Sequence, residues 1–306
     1  MNRRQFLAFA SVAATVTKAR AQAGAGESPL LSFGLITDVQ YVDADPQGER
    51  HYRESLPKLT AAVADLAQAK LAFTLHLGDL IDRDFASFAA VLPLFGGLAN
   101  PLHQLSGNHD FSVADADKGR VVATLGMPGD YYSFKASGVA VVMLDTNDLS
   151  TYKYPQGSEQ GLASAAALRQ LAIGKPNNAV PWNGGISPAQ LAWLEKTLAA
   201  AGAAKEPVIV CGHHPLMPES GHQAWNSREV LAVLERHPCV RAYLCGHNHA
   251  GAEVIVNGRP YITFKSILHQ PQVTAYAVLR LFKDRLVIEG RGREKSRVIP
   301  LPPLVS

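Results

Sequence analysis

The sequence has few cysteines, no long apolar run and little imbalance of charge. Its three cysteines, Cys211, Cys239 and Cys245, are too few for a disulfide framework, so we interpret them as buried free thiols. With 47% hydrophobic residues, the chain carries too much apolar mass for a disordered protein. Because several long apolar runs are lacking, a protein with multiple membrane spans is also excluded.

The positive net charge of +3 comes from the N-terminal segment. Residues 1–23 hold four of the 29 basic residues and no acidic residue, so 25 bases face 26 acids in the rest of the chain and the net charge there is −1. A nucleic-acid-binding protein usually keeps its positive excess in the folded part. The sequence therefore predicts no nucleic-acid partner.

The N-terminal segment has the features of an export signal. Adjacent Arg3 and Arg4 precede Phe6-Leu7, a short apolar run continues to about Val16, and Ala21-Gln22-Ala23 offers a small-x-small cleavage site. The pattern resembles the bacterial twin-arginine signal, which implies the twin-arginine export machinery as a partner and a periplasmic or secreted protein. The run is too short for a permanent membrane anchor. The alternative is a disordered basic tail, and we expect residues 24–30 to be a flexible leader.

After residue 30, apolar runs alternate with stretches of helical spacing, which predicts an α/β fold. The predicted strands in this part are 31–37, 71–77, 101–105, 131–135, 139–144, 208–211 and 240–245, and the predicted helices are 54–70, 85–98, 187–201 and 226–236. From residue 253 onward the pattern predicts strands alone. Residues 147–185 show no sustained period and are predicted to be a long functional or mobile loop. No linker divides the chain, so residues 31–306 are expected to form a single domain.

Side chains that bind metal ions follow five of the predicted strands. The motifs, in chain order, are Asp38-x-Gln40, Gly78-Asp79, Gly107-Asn108-His109-Asp110, Gly212-His213 and Gly246-His247-x-His249. Carboxylate, amide and imidazole groups are the ligands of divalent cations, and a glycine lets the chain turn sharply off a strand. Five such motifs at one edge of a predicted sheet indicate a metal centre.

Each motif also has an alternative explanation by itself. Asp38 could cap a helix, Asn108 could occupy a left-handed turn, and a His-x-His pair is often an ordinary polar loop. Independent explanations of this kind for all five motifs are improbable. Five further histidines stand alone and are interpreted as packing or solvated residues: His51, His76, His103, His237 and His269.

Together the motifs resemble those of the calcineurin-like metallophosphoesterases, over essentially the whole mature chain. The resemblance implies a four-layer α/β/β/α sandwich of two mixed sheets flanked by helices, with two divalent metal ions at the strand ends. It implies that Asp38, Gln40 and His249 bind the first metal and that Asp79 bridges. It also implies that Asn108, His213 and His247 complete the second site, and that His214, which follows a ligand, is not one itself.

The first motif departs from the usual pattern of the family and indicates a particular subfamily. Most members have Asp-x-His at the first motif, whereas this chain has Gln40, whose amide oxygen shifts that site toward Mn²⁺ or Mg²⁺. We expect Mn²⁺, with Mg²⁺, Fe²⁺ or Zn²⁺ as alternatives. Asp82 stands where purple acid phosphatases need a tyrosine, so that group is excluded. The Asp-x-Gln form, with the stretches 33–34, 52–56, 183–186, 224–226 and 290–293, resembles the Mn²⁺-dependent ADP-ribose/CDP-alcohol diphosphatases.

The resemblance implies a metal-dependent hydrolase of phosphodiester or diphosphate bonds in nucleotide-linked substrates. A hydroxide bridging the two ions would be the nucleophile, which suits the lack of a Ser/His/Asp or Cys/His arrangement. His109 would protonate the leaving oxygen or stabilise charge. Asp110 would orient His109 or, equally well, cap the next helix.

Five residues are candidates for substrate contacts, each with a structural alternative. Arg53 could pair with the second phosphate or form a surface salt bridge. Asn183 and Gly184 could present backbone amides to an anion or simply form a turn. Trp225 or Tyr41 could stack on a base or pack in the core.

Three other functions fit parts of this pattern. A cyclic-nucleotide phosphodiesterase or a broad-specificity phosphomonoesterase would use the same ligands. An inactive metal- or nucleotide-binding protein is a more remote alternative, because decay of an active site usually removes ligands first.

Overall fold

A computed structural model describes residues 27–303 of the chain. The predicted export signal lies outside the described residues, as do residues 24–26 of the leader. Within the described range, no helix combines the length and the apolar character needed to cross a bilayer.

Within residues 27–303, twelve strands form two six-stranded mixed sheets. The strands are β1 (Leu31–Ile36), β2 (Phe73–Leu77), β3 (Leu102–Leu105), β4 (Tyr132–Ala136), β5 (Val139–Met143), β6 (Val208–Cys211), β7 (Val240–Cys245), β8 (Ala252–Val256), β9 (Arg259–Thr263), β10 (Ala275–Leu281), β11 (Arg285–Gly292) and β12 (Arg297–Pro300). One sheet has the order β12-β11-β10-β1-β2-β3, and the other has the order β4-β5-β6-β7-β9-β8.

Each sheet has a parallel part that carries the functional motifs. In the first sheet, β1, β2 and β3 are parallel neighbours, and in the second sheet β5, β6, β7 and β9 are parallel neighbours. The remaining strands pair antiparallel. Parallel strands end at the same edge of a sheet, so the residues that follow them are brought together.

In the described part of the chain, seven helices and two short 3₁₀ segments connect the strands. The helices are α1 (Ser55–Ala67), α2 (Ser87–Val91), α3 (Asp115–Lys118), α4 (Val121–Thr124), α5 (Glu159–Ile173), α6 (Pro188–Ala203) and α7 (Ser227–Arg236), and the 3₁₀ segments are Leu92–Gly97 and His109–Phe111. The predicted single helix 85–98 is therefore wrong in part, because it is divided between α2 and a 3₁₀ segment with a proline in its first turn.

Three clusters of buried apolar side chains separate four layers. The cluster between the sheets joins Phe33 and Leu75 of the first sheet to Val141 and Leu244 of the second. A second cluster places α1 on the outer face of the first sheet, and a third places α6 and α7 on the outer face of the second. The predicted four-layer α/β/β/α sandwich is confirmed.

The long loop predicted over residues 147–185 is wrong in part, because it contains the fifteen-residue helix α5. Ser158 caps this helix by accepting a hydrogen bond from the backbone N–H of Gly161. Among its residues only Ser164 is buried, while Leu162 and Ile173 are exposed. A helix without a buried apolar face has no helical period in its sequence, so the pattern could not predict it.

Candidate metal centre

The seven predicted ligands meet where the parallel strands of the two sheets end. Three motifs follow the first sheet and two follow the second, which places Asp38 after β1, Asp79 after β2, Asn108 after β3, His213 after β6 and His247 after β7. Six of the seven side chains are buried, and the seventh, His249, has a side chain only 10% exposed. Such a set of buried polar groups needs partners, and a cation would satisfy them.

The donor atoms form two groups that overlap at one carboxylate. Asp79, His213 and His247 form one group, and Asp38, Asp79 and His249 form the other, with the donor atoms of each group within 4.8 Å of one another. The Asn108 amide oxygen lies 3.2 Å from His213 Nε2 and 3.0 Å from His247 Nδ1, which adds a neutral oxygen to the first group. Two sites that share one carboxylate suit a pair of divalent cations.

Two of the histidines are held in one tautomer by a hydrogen bond from the nitrogen that faces away from the group. His213 Nδ1 donates to the carbonyl of Leu77 at 2.8 Å, and His247 Nε2 donates to the side-chain oxygen of Asn183 at 2.9 Å. The other nitrogen of each ring is then an acceptor that faces the group. Burial lowers the pKa of His213, but Asp79 outweighs burial and raises it to about 9. The Asp79 carboxylate therefore favours a positive charge at His213.

A third ligand histidine is oriented by a residue that the sequence analysis did not assign to the site. His249 Nδ1 lies 2.9 Å from His269 Nε2, while His249 Nε2 faces Asp38 and accepts from Gln40 Nε2 at 3.0 Å. The neutral His249 ring therefore carries its proton on Nδ1 and donates it to His269. His269 is therefore not a simple packing or solvated residue. It follows β9, which is parallel to β7, and no sequence motif marks a residue whose role depends on that pairing.

The segment that carries His269 is fixed by a buried ammonium group. Lys58 Nζ donates to the carbonyls of residues 267–270 at 2.6, 3.0, 3.4 and 2.7 Å. An ammonium has three protons, so these four carbonyls share its donors and surround it. Lys58, on α1, thereby links a helix to the residue that orients His249.

The side chain of Gln40 reaches the centre with its amide nitrogen. Nε2 lies 2.8 Å from Asp79 Oδ2 and 3.0 Å from His249 Nε2, while Oε1 faces Arg50 Nη1 at 3.5 Å. A half-turn about the last torsion exchanges the two amide atoms without moving the rest of the residue. Gln40 can therefore supply an oxygen ligand only in the reversed orientation.

The motif glycines allow the ligand loops to approach one another closely. A Cβ on Gly107 would lie 2.1 Å from Asp79 Oδ1, and a Cβ on Gly246 would lie 2.1 Å from Thr37 Oγ1 and 2.4 Å from Asp38 Oδ2. Four ligands also adopt positive φ angles, namely Asp38 (53°), Gln40 (44°), Asp79 (58°) and His247 (66°). Non-glycine residues in this region are strained, and such strain is concentrated at functional sites. The close approaches and the strained backbone therefore mark these loops as a functional site.

His109 lies at the edge of the centre and is oriented by Asp82. Its Nδ1 is 2.8 Å from Asp82 Oδ1, and its backbone N–H donates to Asp79 Oδ1 at 2.8 Å. Burial lowers the pKa of His109, but Asp79 and Asp82 outweigh burial and raise it above its ordinary value. The side chain is 20% exposed, so a substrate can reach it.

Asp110 does not orient His109, so the role expected of it is wrong. Its carboxylate accepts backbone N–H groups of Asp79, Leu80, Ile81 and Gly107 at 2.8 to 3.1 Å. With both oxygens so occupied, Asp110 fastens the loop after β2 to the loop after β3 and does not contact the ring of His109. The alternative of a cap for the next helix is also wrong, because these four donors lie outside that helix.

The five residues predicted to contact the substrate make contacts within the protein instead. Arg53 is paired with Asp43 and Asp45 at the surface, and Trp225 is buried with its indole N–H donated to the carbonyl of Val180 at 3.1 Å. Asn183 orients His247 through its side chain. Gly184 packs so closely that a Cβ would lie 2.4 Å from the carbonyl of Thr146. Tyr41 is half-buried against the apolar cluster on the outer face of the first sheet. These contacts match the structural alternatives for Arg53 and Trp225.

Two overlapping ligand groups at the strand ends of a double-sheet sandwich define a dinuclear metal-dependent hydrolase. The chain belongs to the calcineurin-like phosphoesterases, because the model of that family matches residues 31–251. It is therefore a metal-dependent enzyme that hydrolyses phosphate ester bonds, as the sequence predicted.

Named relatives match almost the whole chain. A Xenopus tropicalis protein named manganese-dependent ADP-ribose/CDP-alcohol diphosphatase is 32% identical, over 89% of this chain and 95% of its own length. Proteins with the same name from Oryza sativa and Homo sapiens are 32% and 28% identical, over 87% and 88% of this chain. A solved dimetal phosphatase from Danio rerio superposes with a TM-score of 0.80 at 27% identity, over 90% of this chain and 100% of its own.

Proposed function

We propose that this protein hydrolyses the diphosphate bond of nucleotide-linked substrates of the ADP-ribose or CDP-alcohol type, with Mn²⁺ as its metal. The observation that carries the proposal is the match to relatives named for this activity over nearly their full length. The complete set of seven candidate ligands supports it, because an inactive binding protein has no need to keep them all. Oxygen ligands from Asp38, Asp79 and Asn108 support Mn²⁺.

The two ions, when bound, supply an activated water and neutralise charge on the phosphoryl oxygens. Asp79 and Asn108 would help to hold them, and the set would be completed by Asp38, His213, His247, His249 and the side-chain oxygen of Gln40 in its reversed orientation. His109 would donate a proton from Nε2 to the leaving oxygen, since its Nδ1 is held by Asp82. No side chain of the protein needs to act as a nucleophile.

A panel of four substrates tests the proposal. The ratio kcat/KM is measured with Mn²⁺ for ADP-ribose, CDP-choline, cyclic AMP and p-nitrophenyl phosphate, on protein whose manganese content has been determined. We expect about two Mn²⁺ per chain and the highest kcat/KM for one of the two diphosphates. A preference for cyclic AMP or for the monoester would replace the proposal by a cyclic-nucleotide phosphodiesterase or a broad phosphomonoesterase. Bound manganese without turnover of any substrate would indicate an inactive binding protein.

We also propose that the protein acts in the periplasm or outside the cell after export through the twin-arginine machinery. The adjacent Arg3 and Arg4, the short apolar run and the small-residue cleavage site support this location. That machinery carries folded proteins, which suits an enzyme whose ligands come from five separate loops.

A further inference from the structure

We propose that Arg50 binds the phosphate next to the one that is attacked, and so makes the centre selective for diphosphates. This inference rests on the proposed function, because a second phosphate exists only in a substrate of that class. It assigns to Arg50 the role that the sequence analysis expected of Arg53.

Arg50 is held at the mouth of the metal centre by its backbone. Its N–H and carbonyl pair with those of Gln47 at 3.0 and 2.9 Å, and its neighbours Glu49 and His51 are hydrogen-bonded to residues 270 and 268. The latter belong to the segment that Lys58 fixes. The position of Arg50 is thus set by the same segment that orients His249.

The side chain of Arg50 points toward the ligands. Its Nη1 lies 3.5 Å from Gln40 Oε1, and Gln40 Nε2 in turn contacts Asp79 and His249. Arg50 is also close enough to act electrostatically on both His109 and His269. A guanidinium beside the candidate ligand Gln40 can reach a phosphate group of a substrate bound at the centre.

Arg50 has no anionic partner in the part of the chain that the structure describes. Its single side-chain hydrogen bond is the long one to Gln40, and no carboxylate of residues 27–303 forms an ion pair with it. By contrast, Arg53 is engaged by two carboxylates and Arg83 by Asp82. A half-buried guanidinium keeps most of its five donors free, and its planar fork matches two phosphate oxygens.

Metal binding would free Arg50 further. If Gln40 turned its oxygen to the centre to hold a metal, its Nε2 would face Arg50 and the guanidinium would lose its one side-chain acceptor. The Gln40 amide and the Arg50 fork would then both offer donors to the same space. Phosphate oxygens carry negative charge and accept hydrogen bonds, so they fit this space.

Two nucleotides that differ only in the second phosphate test the proposal. Adenosine 5′-(α,β-methylene)diphosphate, which resists hydrolysis, and AMP are titrated by calorimetry into the Mn²⁺-loaded protein and its Arg50→Ala, Arg50→Lys and Arg53→Ala variants. We expect Arg50→Ala to weaken binding of the methylene diphosphate analogue by about 10–100-fold, since a charge-assisted hydrogen-bonded pair is lost. Binding of AMP should weaken by less than about 3-fold. The affinity of Arg50→Lys for the analogue should lie between those of the wild type and Arg50→Ala. Arg53→Ala should bind both nucleotides like the wild type.

Three results would overturn the proposal. Equal weakening of both nucleotides by Arg50→Ala would mean a general electrostatic effect, and lower manganese content would mean that Arg50 supports Gln40 instead. An effect of Arg53→Ala as large as that of Arg50→Ala would return the role to Arg53. Because binding is measured without turnover, failure of the substrate panel leaves this test intact. A wild-type protein that prefers p-nitrophenyl phosphate but binds the methylene diphosphate analogue through Arg50 would contradict only the proposed function.

Discussion

At the scale of single residues, the partner of His109 differs from the one that sequence proximity favoured. Asp110 is the next residue, yet Asp82 from another loop contacts the ring. Asp82 also interacts with Arg83, and although burial raises the pKa of Asp82, its bonds to His109 and Arg83 lower it overall. The carboxylate therefore stays ionised and can hold the His109 ring in one orientation.

The first prediction concerns His109. His109→Ala should lower kcat by about 10²–10⁴-fold, because a positioned proton donor contributes that much, while manganese content stays at the wild-type value. Asp82→Asn should lower kcat less, since His109 remains but is poorly oriented. The measurements are steady-state kinetics and metal analysis of the same samples. A fall in metal content parallel to activity would show that His109 is a ligand or a structural support.

The second prediction concerns His269 as a positioning residue for His249. His269→Ala should weaken manganese binding by about 10–100-fold, the usual effect of removing the partner of a ligand histidine. His269→Gln, whose side-chain oxygen can accept the same proton, should restore part of the affinity. Equilibrium dialysis measures the affinity directly.

A matched control for His269 is His103→Ala. His103 stacks on Phe134 with ring centroids 3.7 Å apart and contacts no ligand of the centre. Its removal should leave the manganese affinity unchanged. If both variants lose affinity equally, or if His269→Gln behaves like His269→Ala, the loss reflects general destabilisation.

At the scale of elements, the loops after the parallel strands fit together through their backbones. Asp110 fastens two of these loops, and Gly107 allows the Asp79 carboxylate to lie against the chain. The third prediction is that Gly107→Ala lowers the free energy of unfolding by about 1–3 kcal/mol, because overpacking forces a backbone shift. It should also reduce manganese binding.

The control for Gly107 is Gly119→Ala. A Cβ on Gly119 would meet no atom within 4 Å, and its φ angle is not positive. We expect no loss of stability or of metal there. Thermal unfolding and metal analysis of both variants check this, and a Gly107→Ala protein that keeps both properties would contradict the close-approach argument.

Helix α1 contributes to the centre through Lys58. The fourth prediction is that Lys58→Met lowers the free energy of unfolding by about 2–4 kcal/mol, since it leaves several buried or half-buried carbonyls without a donor. Manganese affinity should fall as well, because the segment that carries His269 loses its anchor. Denaturant unfolding and dialysis measure the two effects. Lys70→Met, at an exposed lysine, is the control, and equal effects of both substitutions would contradict this role.

At the scale of the whole molecule, two sheets must pack before the centre exists. The first sheet supplies four of the seven candidate ligands and the second supplies three, so neither sheet alone holds either complete set. The apolar cluster between the sheets, with Phe33, Leu75, Val141 and Leu244, therefore determines the distance between the two halves of the site. Metal binding and folding should be coupled for this reason.

The fifth prediction concerns export. Replacing Arg3 and Arg4 together by lysine should abolish accumulation in the periplasm of a bacterium with a twin-arginine pathway, because the pathway reads the arginine pair. Arg20→Lys, at an arginine outside the pair, should export normally. Immunoblots of periplasmic and cytoplasmic fractions measure the distribution. Periplasmic accumulation of the double variant at the wild-type level would contradict the twin-arginine proposal.

The sequence by itself determined where most of the strands lie along the chain and which ligand types follow them. Apolar runs such as those that became β2, β6 and β7 are fully buried on both faces, so their composition marks them without any tertiary information. The motifs could be recognised because each one stands a few residues after the end of its strand in the sequence. These local relations predicted an α/β fold with a metal centre, and the resemblance of the motifs to a known family implied the four-layer sandwich and the class of enzyme.

Tertiary structure decided which side chains meet across loops. That Asp82 and not Asp110 faces His109, that His269 reaches His249, and that Arg50 is free while Arg53 is paired all depend on loop conformation and on strand pairing between distant parts of the chain. Helix α5 was missed because it buries almost nothing. Sequence periodicity reports burial within one element, whereas contacts between loops arise only after the sheets have packed, so they leave no local pattern in the sequence.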